Sequence, residues 1–319
     1  MTGPLPATPE ADDALLGLLE WLEAAGYAFV NPTPSTHALV RERCDARKED
    51  LLRDVFGWVR PFDRAQMPDR LLALMETAGL LVDTEGKLAS ALRVSRLEGR
   101  LFLHSAPTCD NDAVFLGPDS YRFARLLRQV LTHGPAIGHA LDIGTGAGVG
   151  AVMVKDLAPD AEVHASDINP SALRLAGLNA RHAGLNVLTR LGSGLPGTPA
   201  SFDLIIANPP YIAGDVGKTY RDGGDDYGAA LALEWVREGV RRLAPGGRFI
   251  LYSGAAVVAG RDVVLESLTA LCAHAGLSLD YDELDPDVFG QTLRQNAYRN
   301  VDRIAAVGAV ITAPSSRGG

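Results

Sequence analysis

The stretch ALDIGTGAGVG, residues 140–150, decides the fold class of this chain. A short apolar run reaches Asp142, and glycines then occupy every second position from Gly144 to Gly150. An apolar run that ends in a glycine-rich turn and continues into a second apolar segment is typical of a strand followed by a helix. Glycine in such a turn accepts positive φ and lets a ligand approach the backbone closely. The stretch therefore predicts a strand, an open loop and a helix.

Similar strand-like runs follow this stretch along the chain. Among them are EVHASDI, NVLTRLG, FDLIIANPPY and RFILYSGA, and helical segments separate them. Alternation of this kind predicts parallel βαβ units and a doubly wound α/β sheet with helices on both faces. Two later runs, LSLDYDELDP and VDRIAAVGAVIT, predict an added hairpin at one edge of the sheet.

The pattern before Ala106 is different. ALLGLLEWLEAAGYA has the spacing of an amphipathic helix, and further helical runs precede two short strands with a turn near Glu98 and Gly99. This order predicts a smaller, mainly helical domain over residues 1–105 that recognises substrate, and helices followed by a two-stranded wing indicate a winged-helix module. A helical cap without a recognition role explains the same pattern. Residues 106–319 are assigned to the larger domain.

Composition limits the classes of function. The chain has 319 residues, 47% of them hydrophobic, and a net charge of −9, which argues against broad non-specific binding of nucleic acid. No run reaches the roughly 18 apolar residues of a membrane span, and no signal-peptide pattern opens the chain. The 3 cysteines and 7 histidines have no metal-ligand spacing. We expect a soluble, cytoplasmic protein without a membrane segment or a metal.

The glycine-rich loop does not have the dinucleotide pattern G-x-G-x-x-G, because position 149 is Val149. This disfavours a nicotinamide cofactor. The next predicted strand ends at Asp167, where a carboxylate can accept hydrogen bonds from both hydroxyls of a ribose, and Ile168 can lie against an adenine face. The alternative for this acid is a role at the start of a helix.

The run DLIIANPPYIAG, residues 203–214, ends a predicted strand with an amide, two prolines and a phenol. Each proline restricts the residue before it to extended geometry, while the backbone carbonyls stay available as acceptors. The side-chain oxygen of Asn208 and the carbonyl of Pro209 can therefore accept the two N–H bonds of a planar amino group. Tyr211 can cover one face of that group.

Taken together, D-x-G-x-G-x-G, Asp167 and NPPY resemble the class I methyltransferases that use S-adenosyl-L-methionine. The resemblance is to the amino-methylating branch, which includes release-factor glutamine N5-methyltransferases and adenine or guanine N-methyltransferases. It implies a seven-stranded sheet and methyl transfer to a planar amino or amide nitrogen. The implied cofactor-binding residues are Asp142, Gly144, Thr145, Gly146, Gly148, Asp167, Ile168, Ser193 and Asn208, and the implied catalytic residues are Asn208, Pro209, Pro210 and Tyr211.

At two places the sequence departs from that family. Ser193 stands between two glycines where the family commonly has an acidic or polar group near adenine. The proline-containing loop of the glutamine enzymes corresponds here to VFLGPDSYRFARLL, which lacks their P-R-P-E-T-E motif. Candidate substrate contacts are Phe115, Pro118 and Ser120 from this segment, and Arg221 from the polar loop after NPPY. A plain helix start explains the first segment equally well.

Two kinds of methyl acceptor fit the sequence. A protein glutamine fits the acidic charge, whereas a nucleobase in RNA or DNA fits a winged helix rich in arginine. A different class is a non-catalytic scaffold or sensor that binds S-adenosylmethionine.

Overall fold

The computed structural model describes residues 5–43, 50–106, 112–195, 200–212 and 226–315. Within them the helices are α1 (Pro9–Ala24), α2 (Pro34–Glu42), α3 (Asp69–Thr77), α4 (Pro118–Leu131), α5 (Val149–Leu157), α6 (Pro170–His182), α7 (Ala230–Gly239) and α8 (Val263–Ala275). The strands are β1 (Leu81–Thr84), β2 (Lys87–Ser90), β3 (Leu92–Leu97), β4 (Arg100–Ser105), β5 (His139–Ile143), β6 (Glu162–Asp167), β7 (Leu188–Leu191), β8 (Phe202–Ala207), β9 (Leu243–Val258), β10 (Arg261–Asp262), β11 (Ser278–Asp285) and β12 (Arg303–Thr312).

One large sheet dominates the structure, with strand order β11-β12-β9-β8-β5-β6-β7. Strands β5 to β9 run parallel to one another, whereas β12 is antiparallel to both β9 and β11. The short β10 pairs with the end of β9 as an eighth strand. The predicted doubly wound α/β fold is confirmed, and the two C-terminal runs form the hairpin that the sequence predicted.

Helices cover both faces of this sheet. On one face, α7 and α8 enclose a core that includes Phe249, Val264 and Leu268. On the other face, α4 to α6 belong to a second core, which continues without a break into residues 14–103. Apolar runs such as Leu204 to Ala207 are fully buried because both faces are covered.

In its described residues, 5–43 and 50–105, the N-terminal module contains helices α1 to α3 and two separate hairpins. The β3–β4 hairpin turns at Glu98 and Gly99, as the sequence predicted, with positive φ at both residues. The β1–β2 hairpin was not predicted. The apolar run after α3 continues the helical spacing, but the chain leaves the helix at Gly79 (φ 67°) and turns again at a second Glu-Gly pair, Glu85 and Gly86.

Polar contacts fix the module to the α4–α6 layer. Asn179 on α6 is 1% exposed and bonds both backbone groups of Leu103 on β4, at 2.8 Å and 3.1 Å. Arg174 on α6 donates to Asp12 on α1 at 2.7 Å. Because one continuous core joins the two parts, the division near residue 105 and the winged-helix role stay predictions. In the part of the chain that the structure describes, no helix is long and apolar enough to cross a bilayer.

Candidate active site

Three parallel strands of the large sheet end side by side at one edge. Ile143, the last residue of β5, lies opposite Ser166 of β6 and Ala207 of β8. The next residues along each strand are therefore Gly144, Asp167 and Asn208, which come out of the sheet in one row. This edge is where doubly wound sheets bind ligands.

The glycine-rich loop leaves this edge after β5. Gly148 caps α5 in the left-handed conformation (φ 83°), and a Cβ there would lie 2.9 Å from Ala176 on α6, so only glycine fits. A Cβ on Gly146, by contrast, would meet only the backbone oxygen of Phe115, at 3.9 Å. The loop is packed against the protein at Gly148 and open at Gly146.

Asp142 and Thr145 turn inward from this loop. Asp142 is 2% exposed, and its Oδ2 accepts hydrogen bonds from the Thr145 hydroxyl at 2.6 Å and from the Ala151 backbone N–H at 2.9 Å. Burial raises the pKa of Asp142 to about 7, against the opposing effect of these two hydrogen bonds. In this conformation both residues shape the loop, and direct contact with a cofactor stays a prediction for them.

Asp167 lies at the tip of β6, partly buried. Its carboxylate accepts from the backbone N–H groups of Gly146 at 3.0 Å and Asn169 at 2.9 Å, so it joins the glycine loop to the start of α6. Burial raises its pKa. Ile168 beside it is 55% exposed, which is unusual for a large apolar residue next to buried strands. The ribose contact of Asp167 and the adenine contact of Ile168 stay predictions.

The tip of β7 adds a residue that the sequence did not single out. Leu191 pairs with Asp167 across the sheet and is 66% exposed. Ser193 is exposed two residues later, and Gly192 donates to the Asp167 backbone oxygen at 3.0 Å. Ile168 and Leu191 thus place two exposed apolar side chains at adjacent strand ends. The signal in the sequence was an apolar residue at a strand end followed by glycine.

The NPPY segment, residues 208–211, follows β8 directly. Asn208 is partly exposed, and among the described residues its side-chain amide has no hydrogen-bond partner. Pro209 and Tyr211 are buried, and the Tyr211 ring packs against the Phe289 ring with centroids 5.6 Å apart. Pro210 is half-buried. A free amide is therefore held on a rigid segment at the same edge as the glycine loop.

The segment before β5 borders the glycine loop through Phe115, which is 44% exposed. Pro118 begins α4, and the Ser120 hydroxyl accepts from the Gly117 N–H at 3.3 Å as part of that helix start. Arg221 lies outside the described residues. Among those that are described, no group of three or more His, Cys, Asp or Glu side chains could hold a metal ion.

Comparison with known proteins agrees with this geometry. Residues 112–255 match the family model of the methyltransferase small domain. The chain is 39% identical over 123 residues to the release factor glutamine methyltransferase of Deinococcus radiodurans, covering 35% of this chain and 44% of that protein. It is 37% identical over 91 residues to the ribosomal protein uL3 glutamine methyltransferase of Neisseria meningitidis, covering 27% of this chain and 29% of that protein.

A solved structure shares the fold. It is of a Pyrococcus horikoshii protein described as a transferase, and it covers 77% of this chain and 83% of its own at 10% identity, with a TM-score of 0.51. The chain matches about half of the length of its release-factor relatives, from 44% to 52%. The family match over residues 112–255 therefore confirms the resemblance to methyltransferases drawn from the sequence.

Proposed function

We propose that the chain transfers a methyl group from S-adenosylmethionine to a planar amide or amino nitrogen, and that the acceptor is a glutamine side chain of a protein. The observation that carries this proposal is the row formed by Gly144, Asp167 and Asn208 at adjoining strand ends. Gly144 and Asp167 suit the binding of a nucleoside, and Asn208 offers an amide oxygen to the acceptor.

The residues present fit the donor. The open face of Gly146 leaves room at the loop, the Asp167 carboxylate can take ribose hydroxyls, and Ile168 and Leu191 offer apolar surface for adenine. When bound, S-adenosylmethionine supplies an electrophilic methyl group on a positively charged sulfur. The protein's own task is to hold the two reaction partners in line and to exclude water between them.

Asn208 and Pro209 bind the acceptor nitrogen in this proposal. An amide nitrogen is a poor nucleophile, because its lone pair is delocalised into the carbonyl. When the Asn208 side-chain oxygen and the Pro209 backbone oxygen accept its two N–H bonds, the nitrogen can pyramidalise and its lone pair can point towards the methyl carbon. One of these N–H protons leaves to solvent after transfer.

Two observations favour a protein acceptor over a nucleobase. The relatives are named for glutamine methylation of a release factor and of a ribosomal protein. The net charge of −9 also gives the chain no general attraction to phosphates. A cytoplasmic location follows from the same relatives and is part of the proposal.

The test uses tritiated S-adenosylmethionine and an extract of cells that lack this chain. We expect label in a polymer that protease destroys and ribonuclease leaves intact, and one added methyl on a glutamine by mass spectrometry. Label that ribonuclease or deoxyribonuclease removes would overturn the protein acceptor and support a nucleobase. Donor binding without any labelled polymer would support the scaffold or sensor instead.

A further inference from the structure

Asp119, the second residue of α4, is a buried carboxylate close to the NPPY segment. It is 4% exposed, and its Oδ1 accepts a hydrogen bond from the Tyr252 hydroxyl on β9 at 2.7 Å. Arg122 approaches the same oxygen at 3.4 Å and reaches Asp285 on β11 at 2.8 Å with its other nitrogen. The carboxylate therefore joins α4 to β9, and Arg122 connects it to β11.

Tyr211 of the NPPY segment lies beside this group. Burial raises the pKa of its hydroxyl, and the neighbouring Asp119 carboxylate and Tyr252 raise it further. The Tyr211 and Tyr252 rings are edge to face with centroids 6.4 Å apart. The other side of the ring lies on Gly254, where a Cβ would come within 2.4 Å of it.

A strained residue completes the enclosure of Tyr211. Phe289, whose ring contacts Tyr211, has φ 59° and ψ 35°, a left-handed conformation that is unfavourable for a bulky side chain. Such strain persists only where the surrounding structure imposes it, and it concentrates at functional sites. The Tyr211 ring is thus packed against Tyr252, Gly254 and Phe289.

We propose that Asp119 is a positioning residue for the methyl acceptor and that it acts through Tyr211. Its carboxylate accepts from the Tyr252 hydroxyl, whose ring packs edge to face on Tyr211, and lies beside the Tyr211 hydroxyl; this sets the plane of the Tyr211 ring directly after Asn208 and Pro209. This inference rests on the proposed function, because it assigns Tyr211 to the acceptor. A buried ion pair is weak evidence for a purely stabilising role, because apolar residues of similar volume often replace one without loss of stability.

Asp119 also connects the two halves of the site. It lies four residues after Phe115, whose backbone oxygen faces the open side of Gly146. The start of α4 thereby borders the glycine-rich loop at one end and the NPPY segment at the other. A displacement of Asp119 should misalign the acceptor while leaving the residues of the glycine-rich loop in place.

The first test compares Asp119→Ala, Asp119→Asn and Tyr211→Phe in methyl transfer to the extract described above. We expect Asp119→Ala to lower turnover by about 10- to 100-fold, because small misplacements of reacting atoms have effects of this size. Asp119→Asn should recover most of that loss, since its amide oxygen accepts the same hydroxyls. The donor Kd, measured by calorimetry, should stay within about twofold of the wild-type value.

A double-mutant cycle separates positioning from a general structural role. If Asp119 acts through Tyr211, Asp119→Ala should cost little further turnover in a Tyr211→Phe background. Independent, additive losses would overturn the proposal, as would an equal loss of donor affinity. Tyr281→Phe is the matched control, because Tyr281 makes a similar 2.7 Å bond to Asp262 away from the candidate site. It should leave turnover unchanged.

A readout that needs no activity keeps this proposal separate from the proposed function. With tyrosines labelled at the ring carbon that bears the hydroxyl, Asp119→Ala should move the Tyr211 resonance and leave that of Tyr281 in place. A fully active Asp119→Ala protein, or an unmoved Tyr211 resonance, would overturn the role of Asp119 alone. A wild-type protein that labels no polymer would instead overturn both.

Discussion

The edge of the large sheet and the junction between the N-terminal module and α6 use the same kinds of residue for opposite purposes. At the junction, the amide of Asn179 is fully buried and bonds Leu103 and the Ala147 backbone oxygen. At the edge, the amide of Asn208 has no partner among the described residues. A satisfied buried amide holds a structure together, whereas an unsatisfied one on a rigid segment is available to a ligand. Changes at the two places should therefore separate function from stability.

Asn208→Ala should have the largest effect, on function only. Loss of the amide oxygen removes one of the two acceptors for the substrate N–H groups. We expect turnover to fall by about 10²- to 10³-fold, the usual loss for one preorganised hydrogen-bonding group. Methyl incorporation measures turnover, and thermal denaturation measures stability, which should stay within about 0.5 kcal/mol of wild type. A clear loss of stability would break the comparison, because Asn208 would then belong with Asn179.

Asn179→Ala should have the next largest effect, and on stability. The change leaves buried backbone groups of Leu103 without partners, at a cost of about 2–3 kcal/mol in the free energy of unfolding. Urea denaturation measures it. The matched control is Arg181→Ala on the same helix α6, which removes a more exposed contact, the 3.8 Å ion pair with Asp13 on α1, and should change stability by less than about 0.5 kcal/mol. Equal effects of the two changes would contradict a structural junction.

The sequence predicted the edge far better than the junction. The glycine spacing, Asp167 and NPPY are local patterns, and the parallel register alone brings Gly144, Asp167 and Asn208 together. Asn179 could not be recognised in the same way, because its partners are 76 and 32 positions away and an asparagine in a helix is normally solvated. The buried position of Asp119 could not be recognised from the sequence either, because its partner Tyr252 is 133 positions away.

Two other features of the structure that the sequence did not reveal have local physical causes. The β1–β2 hairpin was hidden because Leu80 to Val82 continue the apolar spacing of α3, and only the left-handed Gly79 ends the helix. The inward turn of Asp142 was hidden because an acid at a strand end has the same pattern whether it faces a ligand or the next helix. Burial decides between these roles, and burial depends on the Thr145 and Ala151 contacts.

A substitution of Asp167 tests the proposed binding of the methyl donor at the sheet edge. Asp167→Ala removes the proposed acceptor of ribose hydroxyls and the link to the Gly146 N–H. We expect the donor Kd to rise by about 10- to 30-fold, which corresponds to about 1.4–2 kcal/mol. Calorimetry with S-adenosylhomocysteine measures it. Asp142→Asn is the control at the neighbouring strand, and its Kd should change by less than about threefold, because the amide oxygen still caps the loop. A larger loss in Asp142→Asn would place Asp142 in direct contact with the donor.

The smallest expected effect is the contribution of Asp142 to the pH dependence of stability. The pKa of Asp142 is raised to about 7 by burial, above its usual value when the chain is unfolded. The folded state therefore binds this proton more tightly, so the group favours folding at low pH and this contribution is lost as pH rises through about 7. Between pH 6 and pH 8 we expect the wild-type free energy of unfolding to fall by about 1 kcal/mol more than that of Asp142→Asn, whose amide does not titrate. Urea denaturation at several pH values measures this difference. Parallel curves for the two proteins would mean that Asp142 is solvated, and the inward conformation of the glycine loop would then be wrong.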